Sequence, residues 1–362
     1  MSERDDLFRA VLAAPDDDAP RLIYADWLDE HGEPERAEFI RLQCAMDRIP
    51  PKTGRWRPLH DRTSRLEREW KARWAGAALE RVLNAEFRRG FVDRVRLTVD
   101  QFLTSADRLL ALEPVTVWEF ASSAFFVRGP GIDRVAAHPA FDRVRGLVCG
   151  QFAPEELVTT LSESRYLNGL RAVSVTYRYP SAKALVALFA AAPNLAELSA
   201  EDAPVINLRD LWRRGTPPRL RRLELVHCRV TDPAAHQLAG SAALEKLEVL
   251  RLDGNDLSAR AAEAIANSEY LRGLRELSFA GASLGDYGAI ALARSAALRN
   301  LRVLNLTGCY VDNLGAQALA DSPYLDELEC LCLDENRVSV EVENELAKRF
   351  GPGVCSFSWS PP

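Results

Sequence analysis

Leu220-Arg221-Arg222-Leu223-Glu224-Leu225-Val226-His227-Cys228-Arg229-Val230 is the stretch that decides the fold. Its pattern returns at Leu247–Leu257, Leu274–Leu284, Leu301–Val311 and Leu328–Val338, a constant step of 27 residues. The unit reads L-x-x-L-x-L-x-x-(N/C/A)-x-(L/V). One apolar column is Leu223, Leu250, Leu277, Leu304 and Leu331, and a small or polar column is Cys228, Asn255, Ala282, Cys309 and Asn336. Strict alternation in the L-x-L core predicts a short strand with alternate side chains turned inward. The alanine-rich second half predicts a helix, with Ala262, Ala289 and Ala316 small enough for close approach to the strand. A fixed period of this length is the mark of a repeat array, in which each unit buries its apolar face only by stacking on its neighbours.

The pattern resembles leucine-rich repeats of the ribonuclease-inhibitor type over Leu220 to Val338. That resemblance implies an α/β solenoid with parallel strands on the concave face and helices on the convex face. Upstream, irregular strand cores are expected at Leu97-Thr98-Val99, Val115-Thr116-Val117, Leu147-Val148-Cys149, Val173-Ser174-Val175 and Leu198-Ser199-Ala200. Downstream, Ser339 to Phe350 reads as a last helix stopped by Gly351-Pro352, and the alternation from Val354 to Trp359 reads as a strand covering the open edge.

The amino-terminal 47 residues read as three short helices, near Glu3 to Leu12, Pro20 to His31 and from Pro34 onward. The string Arg21-Leu22-Ile23-Tyr24-Ala25-Asp26-Trp27-Leu28-Asp29-Glu30-His31-Gly32, followed by Arg36-Ala37-Glu38-Phe39-Ile40-Arg41-Leu42-Gln43, is similar to the bacterial repeat-companion domain. Arg89-Gly90-Phe91-Val92 resembles the start of that family's repeat region. The resemblance implies no catalytic role. The chain thus divides into a helical module (1–47), a basic amphipathic helix or linker with the start of a cap (48–90), irregular repeats (91–219), regular repeats (220–338) and a capping helix and strand (339–362).

The chain has 362 residues, 47% hydrophobic and 27% charged, with a formal charge of −6. Residues 1–96 hold 19 basic and 19 acidic side chains, whereas 220–362 hold 14 and 20, so the regular repeats match the whole excess. An acidic array repels phosphate, which makes nucleic acid an unlikely partner there. Residues 48–73 differ, with nine Lys or Arg against three acids. Leu59, Thr63, Leu66, Trp70 and Trp74 recur there at helical spacing. The stripe reads as a packing face, with a nucleic-acid or anionic-surface site as the rival reading.

Seven cysteines, an odd number without C-x-x-C spacing, predict free thiols in a reducing compartment. Neither a basic start nor an apolar run opens the chain, and no long apolar stretch suits a membrane span, so a cytoplasmic location is expected. His227-Cys228 with His236 is better explained by the repeat than by a metal. No phosphate loop or nucleophile elbow occurs, and no cofactor or catalytic residue is expected.

The expected activity is therefore non-enzymatic protein binding on the concave face. Outward strand positions there include Trp118, Tyr177, Glu201, Asp202, Glu224, His227, Arg251 and Asp253. Trp118 and Tyr177 are the candidate aromatic anchors within a mostly acidic rim, which predicts a protein partner with an apolar centre and a basic border. A regulatory role for the helical module is the remaining alternative.

Overall fold

A computed structural model describes residues 2–49, 56–121, 131–149, 155–176, 182–203, 219–351 and 353–357. The chain forms two compact units, Met1–Leu170 and Arg171–Pro362. The division falls within the segment of irregular repeats.

In the first unit, helices α1 (Glu3–Ala13), α2 (Ala19–Glu30) and α3 (Pro34–Met46) come first. Ser2 and Asp5 close a reciprocal capping box on α1, and prolines open α2 and α3 where a missing N–H costs nothing. Val11, Tyr24, Ala25, Leu28, Ala37, Ile40 and Cys44 share one core with Phe91. The module is therefore sealed by the first repeat strand. Gly90, at φ +86°, makes this possible: a Cβ there would fall 2.4 Å from Ile40 Cγ1. Helix α4 (Trp56–Leu79) buries Thr63, Leu66, Ala75 and Ala78, and Trp74 packs 4.9 Å from Phe39 and 6.4 Å from Phe87, ring to ring. The apolar stripe of α4 is thus a packing face, against α3 and the hairpin strand carrying Phe87.

Strand β1 (Asn84–Arg88) pairs antiparallel with β2 (Phe91–Leu97), and β3 (Val117–Phe120) and β4 (Gly146–Cys149) follow in parallel. Two expected cores are displaced. Leu97 ends a strand, while Thr98 caps helix α5 (Val99–Leu112) through the Gln101 N–H. Thr116 lies before β3, buried, with its hydroxyl on Asp93 at 2.5 Å.

The second unit runs β5 (Ala172–Thr176), β6 (Glu197–Glu201), β7 (Arg222–Val226), β8 (Val249–Arg251), β9 (Glu276–Ser278), β10 (Val303–Asn305), β11 (Cys330–Cys332) and β12 (Cys355–Ser356), each parallel to the next. Leu223, Leu250, Leu277, Leu304 and Leu331 face one another in register and are fully buried. A helix follows each regular strand: α6 (Asp232–Ala239), α7 (Ala259–Ala266), α8 (Gly285–Ala293), α9 (Asn313–Ala320) and α10 (Val340–Phe350). This is the leucine-rich repeat architecture. A second 27-residue device closes the helix ends. Ser268, Ser295 and Ser322 donate to the carbonyls of Ala239, Ala266 and Ala293, the last residues of the preceding helices. The final strand is short, Cys355–Ser356, and pairs with β11 as an edge cover. The rest of the expected strand, from 358 onward, lies outside the described residues.

Candidate docking surfaces

Ser174, Ser199, Glu224, Arg251, Ser278, Asn305 and Cys332 form one outward column, in register across seven strands. Its charges, however, are spent on one another. Arg222 Nη1 lies 2.8 Å from Glu224 Oε1 and its Nε 3.8 Å from Glu197. Arg251 Nη1 lies 3.7 Å from Glu224 and its Nη2 2.5 Å from Glu276. Burial works against the Arg251 charge, but Glu276 and Glu224 outweigh it and raise the pKa. The result is a chain, Glu197–Arg222–Glu224–Arg251–Glu276, running across four strands.

Asp253 is also engaged: its carboxylate accepts from Ser278 Oγ and, at 2.9 Å, from the Ala280 N–H. His227 takes a left-handed conformation, φ 53°, and its N–H donates to the Asp253 carbonyl at 2.9 Å. Its ring covers Gly254 so closely that a Cβ there would fall 2.1 Å from the imidazole Cε1. Asp202, at φ 50°, donates its N–H to the Val226 carbonyl at 3.0 Å. Glu201, at the end of β6, is exposed.

Trp118 is not on this surface. Its register partners are Val95 and Leu147, both inward, and its ring is fully buried, 5.0 Å from Phe102 in an edge-on contact. The inward strand positions are Trp118 and Phe120 rather than Val115 and Val117, a displacement of three residues, and an odd shift turns every side chain to the opposite face. Glu119 takes the outward position instead and binds Arg94 at 2.7 Å and Arg96 at 3.3 Å. Tyr177 lies outside the described residues.

The large apolar side chains left in solvent lie elsewhere. Among the described residues, Tyr287 (82% exposed), Tyr310 (64%), Leu314 (63%) and Val340 (64%) belong to three consecutive repeats. All four stand at the edge where strand gives way to helix: Tyr287, Leu314 and Val340 in the first turns of α8, α9 and α10, and Tyr310 in the loop entering α9. Tyr287 and Leu314 occupy the same position of the repeat. The loops are tied together at this edge, since Asp286 accepts the N–H groups of Asp312 and Gly315 at 2.8 and 2.9 Å, and Asn313 accepts that of Ser339 at 2.7 Å. Asp286, Glu341 and Glu343 stand in the same first turns, and Asp312 is the N-cap of α9. Acids belong at helix amino termini, where the backbone dipole favours them. The sequence did carry a signal here. The column Arg229, Asp256, Ser283, Tyr310, Arg337 is polar except at Tyr310, and an exposed repeat position occupied by a large aromatic calls for a reason.

Three cations of the basic segment have acidic partners. Arg48 pairs with Asp18 at 2.7 Å, Arg62 with Glu38 at 2.6 Å and Lys71 with Glu67 at 3.3 Å. Among the described residues no group of three or more His, Cys, Asp and Glu side chains is arranged to hold a metal, and no helix is long and apolar enough to cross a membrane. The seven thiols are free. Burial pushes Cys149 and Cys309 up to about 12 and Cys228 up to about 11, so they stay protonated and unreactive near neutral pH.

A model of the leucine-rich repeat matches residues 297–320. No curated protein sequence matches the chain. Among solved structures, an internalin of Listeria monocytogenes is 14% identical, with a TM-score of 0.44 over 73% of this chain and 71% of its own. A Bacteroides fragilis protein is 14% identical, with a TM-score of 0.46 over 82% and 83%. The Rad7–Elc1 complex of yeast gives 16% identity and a TM-score of 0.40 over 99% and 93%.

Proposed function

We propose that this leucine-rich repeat protein is a non-enzymatic protein-interaction scaffold whose partner docks on the strand-to-helix edge of the last three repeats. One observation carries the reading: four of the six large hydrophobic side chains most exposed among the described residues stand on that edge. Single exposed apolar residues are ordinary on a protein surface, but a row shared by adjoining repeats marks an interaction site. Tyrosine is also favoured at binding hot spots, because it offers a large contact area at low entropic cost. The acidic border selects a partner with an apolar centre and basic surroundings, which sets association rate and specificity more than affinity.

A dock on the strand face would have to disrupt the Glu197–Arg222–Glu224–Arg251–Glu276 chain, leaving part-buried charges without partners. For that reason the reading places Glu224, His227, Arg251 and Asp253 in the framework, and only Glu201 and Asp202 at the border of a strand-face contact. The pairing of Arg48, Arg62 and Lys71 weakens the positive field of the α4 region, which favours protein over nucleic acid. Free, protonated thiols suit a reducing compartment, and the amino-terminal module keeps its resemblance to the bacterial repeat-companion domain.

The test compares quantitative affinity capture by the wild-type chain, by Tyr310→Glu/Leu314→Glu and by Glu201→Lys/Asp202→Lys. Proteins retained by the wild type should be lost from the edge variant and kept by the other, with equal melting temperatures. Retention by the edge variant and loss from the strand-face variant would overturn the placement.

A further inference from the structure

Three arginines of the first unit are buried, and each leaves one guanidinium nitrogen sealed and without a hydrogen bond, Nε of Arg21 and of Arg89 and Nη1 of Arg36, but two of them donate through their other nitrogens. Arg21 donates to the carbonyls of Pro15 at 2.8 Å and Arg89 at 3.3 Å. Arg89 donates to the carbonyls of Pro15 and Asp16, both at 2.8 Å. These two staple the turn between α1 and α2 to the first repeat strand. Arg36 differs. It is 7% exposed, and among the described residues its guanidinium makes no hydrogen bond or salt bridge, with Nη1 sealed from solvent and unpartnered. Its neighbours are rings: Trp74 at 4.7 Å, Phe91 at 5.2 Å and Phe87 at 5.3 Å from the guanidinium carbon. Cation–π contact offsets part of the desolvation of a buried guanidinium, yet it offers no acceptor to five N–H donors.

Arg36 forms part of the wall of a cavity of about 420 Å³, together with Tyr24, Trp74, Phe91, Arg73 and Glu113. The volume suits a small organic molecule. Other charges on this wall are already engaged. Arg4 pairs with Glu33 at 2.8 Å and donates to Tyr24 Oη at 3.3 Å, and Asp5 is held in the α1 capping box. Arg73 lies 5.3 Å over the Trp70 ring and has no carboxylate partner among the described residues. Glu113 accepts the Val92 N–H at 3.1 Å, and burial pushes its carboxyl up to about 7, so at neutral pH it supplies only part of a counter-charge. Burial lowers Arg36 to about 10, which leaves it cationic. The cavity therefore presents unused Arg36 donors beside the half-buried Trp74 and Phe8 rings, in a wall of three cations and three acids.

We infer that this cavity binds a small aromatic carboxylate, whose carboxyl group accepts the Arg36 N–H groups other than the sealed Nη1 while its ring packs against the half-buried Trp74 and Phe8. A planar carboxylate matches the guanidinium fork in a bidentate pair. A doubly charged phosphate is disfavoured, because Asp5, Glu33 and Glu113 share the wall. This site is separate from the docking edge and does not depend on it.

The experiment titrates the full chain with phenylacetate, its neutral amide phenylacetamide and inorganic phosphate, following the Trp74 indole N–H by nitrogen-edited NMR. Phenylacetate should shift that signal saturably, the amide should bind about tenfold more weakly or worse, and phosphate should not compete. Arg36→Lys keeps the charge but loses the fork, and should weaken the acid by about tenfold. If that variant fails to fold, the exposed Arg73→Gln supplies the reading, with an expected loss of about threefold to tenfold. The inference is overturned if the folded wild type shows no saturable response to the acid, if the amide or phosphate binds as well, or if the folded variants bind the acid as the wild type does.

Discussion

Asn255 Oδ1 accepts the backbone N–H of Cys228, one repeat earlier, at 3.0 Å, and that of Val230 at the same distance. Its Nδ2 donates to the carbonyls of Leu225 and Leu252 at 2.6 and 2.8 Å. Asn336 repeats the arrangement on Cys309, Val311, Leu306 and Leu333. The asparagines are thus stitches between repeats, and the cysteines that alternate with them contribute backbone donors rather than side-chain acceptors.

Asn255→Ala should therefore cost roughly 2–4 kcal/mol, because two buried N–H groups and two carbonyls lose a partner together. Cys228→Ala should cost less, since the Asn255 bonds go to its backbone. Chemical denaturation of the two variants decides the order, and equal midpoints would refute it.

Trp118→Ala should act on stability. Removing a fully buried indole typically costs about 3–5 kcal/mol. A variant with wild-type stability would return Trp118 to the surface.

Much of the fold was legible because the leucine columns repeat without interruption from Leu220 to Val338. Where the period lapses, parity became ambiguous. Val115-Thr116-Val117 and Val117-Trp118-Glu119-Phe120 are equally good alternations, and only the pairing of Trp118 with Val95 and Leu147 separates them. Sequence also reports charge without partner, so Glu224 and Arg251 read as a docking rim when they are bonded to each other and to Arg222 and Glu276. The cavity at Arg36 joins α3, α4, β2 and the end of α5, a set no local pattern assembles.

Glu113 should leave a signature in the pH dependence of stability. Its ordinary value of 4.5 rises to about 7 in the folded chain, chiefly through burial. Between those values the folded state holds a proton that the unfolded state has lost. Its stabilising contribution is complete below about pH 4.5 and disappears as pH rises through 7, a span of roughly 3 kcal/mol. Burial also raises Asp93, with the same sign. The difference between wild type and Glu113→Gln isolates the effect: relative to the wild type, the variant should gain stability from pH 4.5 to 8. A flat difference would contradict the shift.

Thiol labelling should be ordered by burial. Cys332 and Cys355 are half-buried and should react first in the native chain, whereas Cys44, Cys149, Cys228 and Cys309 should react slowly. All seven should react after unfolding without reductant, as free thiols require. A smaller number would reveal a disulfide.

The placement of the docking site is tested most directly by site-specific photo-crosslinking in cells, with a photoreactive amino acid at position 310 or 314 on the edge, or at 224 or 251 on the strand face. The edge account predicts a discrete protein adduct from 310 and 314 and none from 224 and 251. Adducts from the strand-face positions, with none from the edge, would contradict it.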